Sequence, residues 1–332
     1  MTFWRPVLDH ERKWWEQALA SLEHATVFQG WGWGEAKRLS GWTPIRLAAV
    51  GTDGAPRSLA QALARRPAPG LVVAWIPGGP LGLSDQTGAA LRTALRQSTR
   101  AVWLYCRMNC LYEYSEASAE RLRAGGWEPA RVPLETGRSL SYPAGLSEDE
   151  RLALASANWR HNLRRSGRHG LVIRRWKDAT PKEVGSVYRQ MEAYKGIERG
   201  FSDDEIGALL QELREHLVLY RCDDAGGEPI ALRGCAVLGR RAWDLFAAAA
   251  PAARKVYASH AVFWALAAQC ARQGVIEYDM GGVDETRNKG VFDFKRGTGA
   301  TPLRYLGEWE WASNRWVQRL ANAGIRYRFR RR

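Results

Sequence analysis

The residues of this 332-residue chain best suited to chemistry lie near its C-terminal end, in Tyr278-Asp-Met-Gly-Gly-Val-Asp284 and Lys289-Gly-Val-Phe-Asp-Phe-Lys-Arg-Gly-Thr-Gly-Ala300. A strand ending at Asp279 leads into Gly281 and Gly282, where a backbone without side chains can approach a ligand. Lys295, beside Phe294, is then a cation held between aromatic anchors and Gly297 and Gly299 in a glycine-flanked loop. A second group is basic. Arg160, Arg164, Arg165 and Arg168 fall on about two helical turns with no acid among them, a face suited to phosphate contacts.

Other chemistries are poorly served. The five cysteines, Cys106, Cys110, Cys222, Cys235 and Cys270, form an odd set without CxxC spacing and are expected as reduced, mostly buried thiols. The six histidines, His10, His24, His161, His169, His216 and His260, are scattered, with no HExxH and no carboxylate cluster, so no metal site is expected. No Ser-His-Asp order and no reactive cysteine context stands out, so no covalent intermediate is expected. The Gln/Arg-x-x-Gly-x-Gly/Ala pattern, in which a helix N-terminus cradles the pyrophosphate of coenzyme A, is not found, so no cofactor is expected.

The elements that must position these residues read as mixed α/β. In the first half an amphipathic helix around His10–His24 is followed by strand-like runs at 45–50, 71–76 and 101–107, and by helical stretches near 85–98 and 115–124. Turns punctuate Gly51-Thr-Asp-Gly54 and Pro77-Gly-Gly-Pro80. A short strand near 139–145 gives way to Ser147-Glu-Asp-Glu150, a capping box that marks a domain boundary; Thr180-Pro-Lys-Glu183 and Ser202-Asp-Asp-Glu205 are two more. Three strands, 217–222, 230–238 and 242–249, form an antiparallel meander, followed by an apolar helix at 259–273 and a strand at 275–279. That order resembles an acyltransferase lobe of the GNAT type.

Composition sets the class. With 45% apolar residues, 25% charged residues and 16 Trp, the chain can bury substantial cores. Its 49 Lys and Arg against 35 Asp and Glu leave a net charge of +14, which attracts polyanions such as RNA, anionic lipid surfaces or nucleotide diphosphates. Asp9, Glu11 and Lys13 stand where a signal peptide needs an apolar core, and no apolar run is long enough to span a bilayer. A cytoplasmic location, with room for peripheral membrane contact, is therefore expected. The last residues, Arg326-Tyr-Arg-Phe-Arg-Arg-Arg332, suit RNA or form a frayed tail, and we read them as the tail.

The pattern Tyr278-Asp-x-Gly-Gly, a short insert and Lys289-Gly-Val-x-x-Phe-Lys-x-Gly-x-Gly299 resembles the C-terminal signature of the Fem (FemABX-type) family. These are non-ribosomal aminoacyl transferases that build peptidoglycan side chains and cross-bridges. Phe28-Gln29, Trp33, Lys37 and Gly41-Trp42 resemble the family's F-x-Q, W, K, G-W pattern, and Trp75-Ile-Pro-Gly-Gly-Pro80 its Y-x-P-x-G-P turn. The segment from Asn158 to Ile173 is similar to its R-x-N-I-R-K-A-x-x-x-G-V stretch, Arg199-Gly-Phe201 to its R-G-F motif, and Arg254–Ala258 to the residues before its long helix. The likeness runs from about Phe28 to Gly299.

The resemblance implies two GNAT-like lobes, each a mixed sheet flanked by helices, with a cleft between them: 1–143 with 306–332 to bind the acceptor, and 144–305 for aminoacyl-tRNA and the reaction centre. It implies Lys295 and Phe294 at the reaction centre; Lys37, Trp33, Arg199, Tyr257, Gly281 and Gly282 around the acceptor; and Arg160, Arg164, Arg165 and Arg168 on the tRNA. The expected activity is transfer of an amino acid from tRNA to the side-chain amine of a peptidoglycan precursor, UDP-linked or lipid-linked, by a monomer. Two departures stand out. Arg107-Met-Asn109 carries an amide where members often have Arg-x-Asp, so no carboxylate base carries over, and Glu198–Leu217 has room only for a short helix in place of a long helical arm. The competing expectations are an acetyl-CoA-dependent N-acyltransferase, aminoacyl transfer to a protein or lipid, and a plain RNA-binding protein.

Overall fold

A computed structural model describes residues 2–85, 87–198 and 200–330. It contains strands β1 (Thr2–Pro6), β2 (Thr43–Gly51), β3 (Pro56–Ala68), β4 (Leu71–Pro77), β5 (Trp103–Glu113), β6 (Glu128–Pro129), β7 (Arg138–Tyr142), β8 (Val172–Arg175), β9 (Leu217–Asp223), β10 (Pro229–Leu238), β11 (Arg241–Ala249), β12 (Glu277–Asp279) and β13 (Thr301–Ala312). The helices are α1 (Arg12–Ser21), α2 (Trp31–Arg38), α3 (Thr87–Thr99), α4 (Glu116–Ala124), α5 (Glu148–Leu154), α6 (Ala157–Ser166), α7 (Pro181–Lys195), α8 (Asp203–Glu212), α9 (Pro251–Lys255), α10 (Ala258–Arg272), α11 (Lys289–Gly297) and α12 (Arg315–Arg330). The chain divides into two compact units, Met1–Gly137 with Arg304–Arg332, and Arg138–Leu303.

The first unit orders its sheet β1-β2-β3-β4-β5-β13. Neighbours are antiparallel except β4 and β5, which are parallel and joined through α3. The second unit orders its sheet β8-β9-β10-β11-β12-β7, again antiparallel except for one pair, β11 and β12, joined through α9 and α10. The two units thus repeat one strand order: a four-stranded meander, a helical crossover to a parallel fifth strand, and a sixth strand antiparallel to it. A parallel pair needs a connection of this length to return the chain to the same end of the sheet.

Each unit has its own core. Leu47, Val72, Ile76, Leu91, Leu104, Met108, Trp127 and Trp309 pack in the first, and Tyr142, Trp159, Ile230, Phe263, Leu266 and Tyr278 in the second. The three capping boxes form as the sequence dictates, with Ser147, Thr180 and Ser202 each accepting from the amide three residues on and each glutamate reaching back. Cys106 and Cys110 lie in the first unit and Cys222, Cys235 and Cys270 in the second, all buried and unpaired by disulfides. Burial pushes the Cys222 thiol up to about 12.

Several expectations are corrected. The stretch 56–68, which the sequence assigns to no element, is the thirteen-residue strand β3. Lys295 stands on helix α11 and not in a loop. Arg168 lies beyond the end of α6, so only three of the four arginines share that helix. The residues from Arg326 to Arg330 continue α12 instead of fraying.

Candidate active site

The second unit gathers its buried charges around the β10–β11 pair. The register shifts between Gly234 and Cys235, opposing Phe246 to Gly234 and Asp244 to Cys235, with Leu245 as the extra residue. Bulges of this kind re-aim the side chains beside them. Arg233 and Asp244 meet in a two-pronged ion pair, Nε to Oδ1 at 3.0 Å and Nη2 to Oδ2 at 2.8 Å, each side chain less than a tenth exposed. The Tyr278 hydroxyl donates to Asp244 Oδ1 at 2.7 Å. Burial and the Asp244 carboxylate push that hydroxyl well above its ordinary pKa, so it remains a neutral donor. The Arg233 guanidinium also lies 5.1 Å from the Phe263 ring and 5.4 Å from that of Phe294.

Lys295 belongs to the same cluster. It is only 7% exposed, and its ammonium donates to the carbonyls of Gly281 at 3.1 Å and Gly282 at 3.0 Å. Two of its three N–H groups are thereby used. Burial holds its pKa below the ordinary lysine value, with Arg233 acting in the same direction and Asp244 and Asp279 opposing. The turn that offers the carbonyls is itself anchored. Asp279 accepts from the Gly281 amide at 2.8 Å and from the Ser139 hydroxyl, and Gly281 adopts φ +75°, the left-handed region that glycine enters without strain. Gly282 has no such requirement. Gly297 serves packing, since a Cβ there would come within 3.0 Å of Trp159 Cδ1 where α11 crosses α6.

An aromatic chain links this centre to the basic helix. The Phe294 ring lies 5.1 Å from His260 and 6.1 Å from Trp159, and His260 lies 6.0 Å from Tyr257. The Arg165 guanidinium sits 4.5 Å from the Tyr257 ring. Tyr257 begins α10 in the left-handed conformation, φ +56°, and no side chain caps that helix. His260 Nδ1 and Trp159 Nε1 are buried without a hydrogen-bond partner. Burial lowers the His260 pKa to about 4, so its imidazole is neutral at pH 7. Arg160 turns instead onto the carbonyls of Ala153 and Ala155, satisfying the end of α5, while Arg164 and Arg168 point outward as exposed residues. The four arginines therefore do not form a single phosphate face.

In the first unit, Trp33 and Lys37 share α2, the Lys37 ammonium lying 4.7 Å from the Trp33 ring. Trp33 packs edge-on to Phe28 at 4.8 Å, with its Nε1 buried and unpartnered. A buried polar network holds this helix. Gln29 donates to the Pro77 carbonyl at 2.7 Å and accepts from the Gln61 amide at 2.6 Å, and Arg46 bridges Gln61 at 2.8 Å and Glu35 at 2.7 Å. Asn109 donates to the Glu135 carboxylate at 2.7 Å, so an acid does stand beside the position where the sequence offers only an amide. Arg199 lies outside the described residues. Sequence reasoning missed Arg233, Asp244, His260 and Glu135; only the odd placement of Arg233 and Asp244 within apolar strands could have signalled them.

These two units have known counterparts. A solved structure of FemX superposes with a TM-score of 0.80 at 16% identity, covering 96% of this chain and 99% of that one. The chain has the FemX fold. A tandem GNAT protein from the clavulanic acid biosynthesis pathway shares that fold less closely, at TM-score 0.58 and 13% identity, with 95% and 99% covered. So does the C-terminal domain of a putative lysylphosphatidylglycerol synthetase from Agrobacterium fabrum, at 0.57 and 12%, with 94% and 96% covered. Within the FemX fold, residues 155–296 match the model of the acetyltransferase (GNAT) domain. No curated protein matches the sequence. The stretch similar to the GNAT domain contains Lys295, Tyr257 and Arg165.

Proposed function

We propose that this protein transfers an aminoacyl group from tRNA to the amine of a peptidoglycan precursor, with Lys295 at the reaction centre. The observation that carries the reading is the buried Lys295 ammonium, fixed on the Gly281–Gly282 turn with one N–H left over. The acceptor amine attacks the ester carbonyl; a C–N bond forms, the carbonyl oxygen takes up negative charge, and the C–O bond to the tRNA ribose then breaks. A cation already desolvated and held in place stabilises that oxygen without reorganising, and the ester is activated in advance, so no nucleophilic residue is needed. Arg165 holds the donor's phosphates beside the aromatic chain, and Tyr257, Trp33 and Lys37 contact the acceptor. The acceptor amine must lose its proton, since a lysine-like amine near 10.4 is mostly protonated at neutral pH.

A second reading, acetyl-CoA-dependent N-acylation, draws on the GNAT domain match and on the uncapped start of α10. Against it, Arg254-x-x-Tyr257 puts a bulky tyrosine where a pyrophosphate cradle needs glycine. The test is incubation with radiolabelled aminoacyl-tRNAs and UDP-linked or lipid-linked precursors, followed by mass analysis. An aminoacyl increment is expected. An increment of one acetyl group, formed only with acetyl-CoA, would overturn the aminoacyl reading in favour of the second.

A further inference from the structure

Helix α12 turns one face onto the first unit and shows another, with large apolar side chains, at the surface. Val317, Gln318 and Asn322 are buried, and the Gln318 and Asn322 amides donate to Glu310 on β13 at 2.9–3.1 Å, fixing the helix on the first unit. On the other side Trp316 is 71% exposed, Leu320 71% and Tyr327 59%. With exposed Ala323 these residues fall on an arc of about 60° along the helix. Arg315, Arg319 and Arg326 are exposed along one edge of that arc, and the Arg319 guanidinium lies 5.3 Å from the Trp316 ring. Val102 and Trp103, 64% and 47% exposed, add apolar surface at the start of β5, where Leu104 is hydrogen-bonded to Ser313 just ahead of the helix.

We propose that this face of α12 docks on an anionic lipid bilayer, lying along its surface. Large apolar side chains on one arc with cations along its edge are the pattern of an interfacial helix, whose side chains enter the headgroup region while arginines meet lipid phosphates. A nucleic acid would offer no partner for Leu320 and Ala323, which cannot stack on bases. A second copy of the same face would oppose arginine to arginine. The net charge of +14 draws the whole chain toward the same surface. No helix among the described residues is long and apolar enough to cross the bilayer, so contact is peripheral.

The test is pelleting of the full chain with sucrose-loaded vesicles of phosphatidylglycerol and phosphatidylcholine, or of phosphatidylcholine alone, and is independent of any transfer reaction. Binding to the anionic vesicles is expected, weakened about tenfold or more in Trp316→Glu/Leu320→Glu at unchanged melting temperature. Arg315→Gln/Arg319→Gln/Arg326→Gln should bind the two vesicle types alike. Equal binding by wild type and the glutamate variant, or no binding by wild type, would overturn the proposal. A glutamate variant that keeps its vesicle affinity and loses affinity for bulk tRNA would make the face an RNA surface.

Discussion

Helices α4 and α11 occupy the same place in the two units, each following the strand that runs parallel to its unit's fourth. Helix α4 is capped by Ser115, buries only Ala119 and Leu122, and leaves its charges in water, where Arg123 pairs with Glu116 at 2.6 Å. Helix α11 has no side-chain cap and turns Lys295 inward onto the Gly281–Gly282 turn. One scaffold accommodates both arrangements. A buried cation is therefore no requirement of the topology, and the desolvation that Lys295 suffers has to be explained by what its ammonium does.

The sharpest break of the comparison uses the buried ion pairs. Arg107–Glu308 in the first unit and Arg233–Asp244 in the second are both shielded from water. Glu308→Gln and Asp244→Asn should each lower the unfolding free energy by about 3–5 kcal/mol, because each strands a guanidinium. Only Asp244→Asn should also move the alkaline limb of kcat/KM to lower pH, since Asp244 opposes the fall in the Lys295 pKa. Denaturant titrations and pH–rate profiles of both variants decide this. Next in size, Lys295→Met should raise the barrier by about 2.7–4 kcal/mol, whereas Arg121→Met on α4 should leave single-turnover rates unchanged.

His260 sharpens the contrast further. Its native pKa near 4 lies below the ordinary histidine value, so the unfolded chain binds a proton that the native state refuses. Stability is accordingly whole above about pH 6.5 and falls by up to about 3 kcal/mol as pH drops toward 4. His260→Gln should flatten that slope in urea unfolding followed at several pH values. The smallest effect is expected at α2: Lys37→Gln should raise the KM for the acceptor by about fivefold, as for the loss of one partly exposed cation–π and phosphate contact, with little change in kcat.

What the sequence disclosed and what it hid follow from the range of the signals. The β9–β11 meander and the three capping boxes rest on residues within a few positions of each other, and they appear as read. Strand β3 was invisible because its Leu, Ala, Gln and Arg favour helices; pairing with β2 and β4 on either side overrides that preference. Lys295 was legible as a residue but not in its setting, since Gly290 and Gly297 disguise a helix as a loop. Arg233 and Asp244 come together only through the register of two strands, and His260 through the packing of α10 on α6, which local pattern does not encode. The four arginines looked like one surface because spacing says nothing of the carbonyls that claim Arg160.

The burial of every cysteine has a practical corollary. With Cys106 and Cys110 inside one unit and Cys222, Cys235 and Cys270 inside the other, native thiols are shielded from alkylating reagents. Rates of labelling, resolved by peptide, therefore clock the opening of each unit separately, so that a core loosened by a substitution can be told from one left intact.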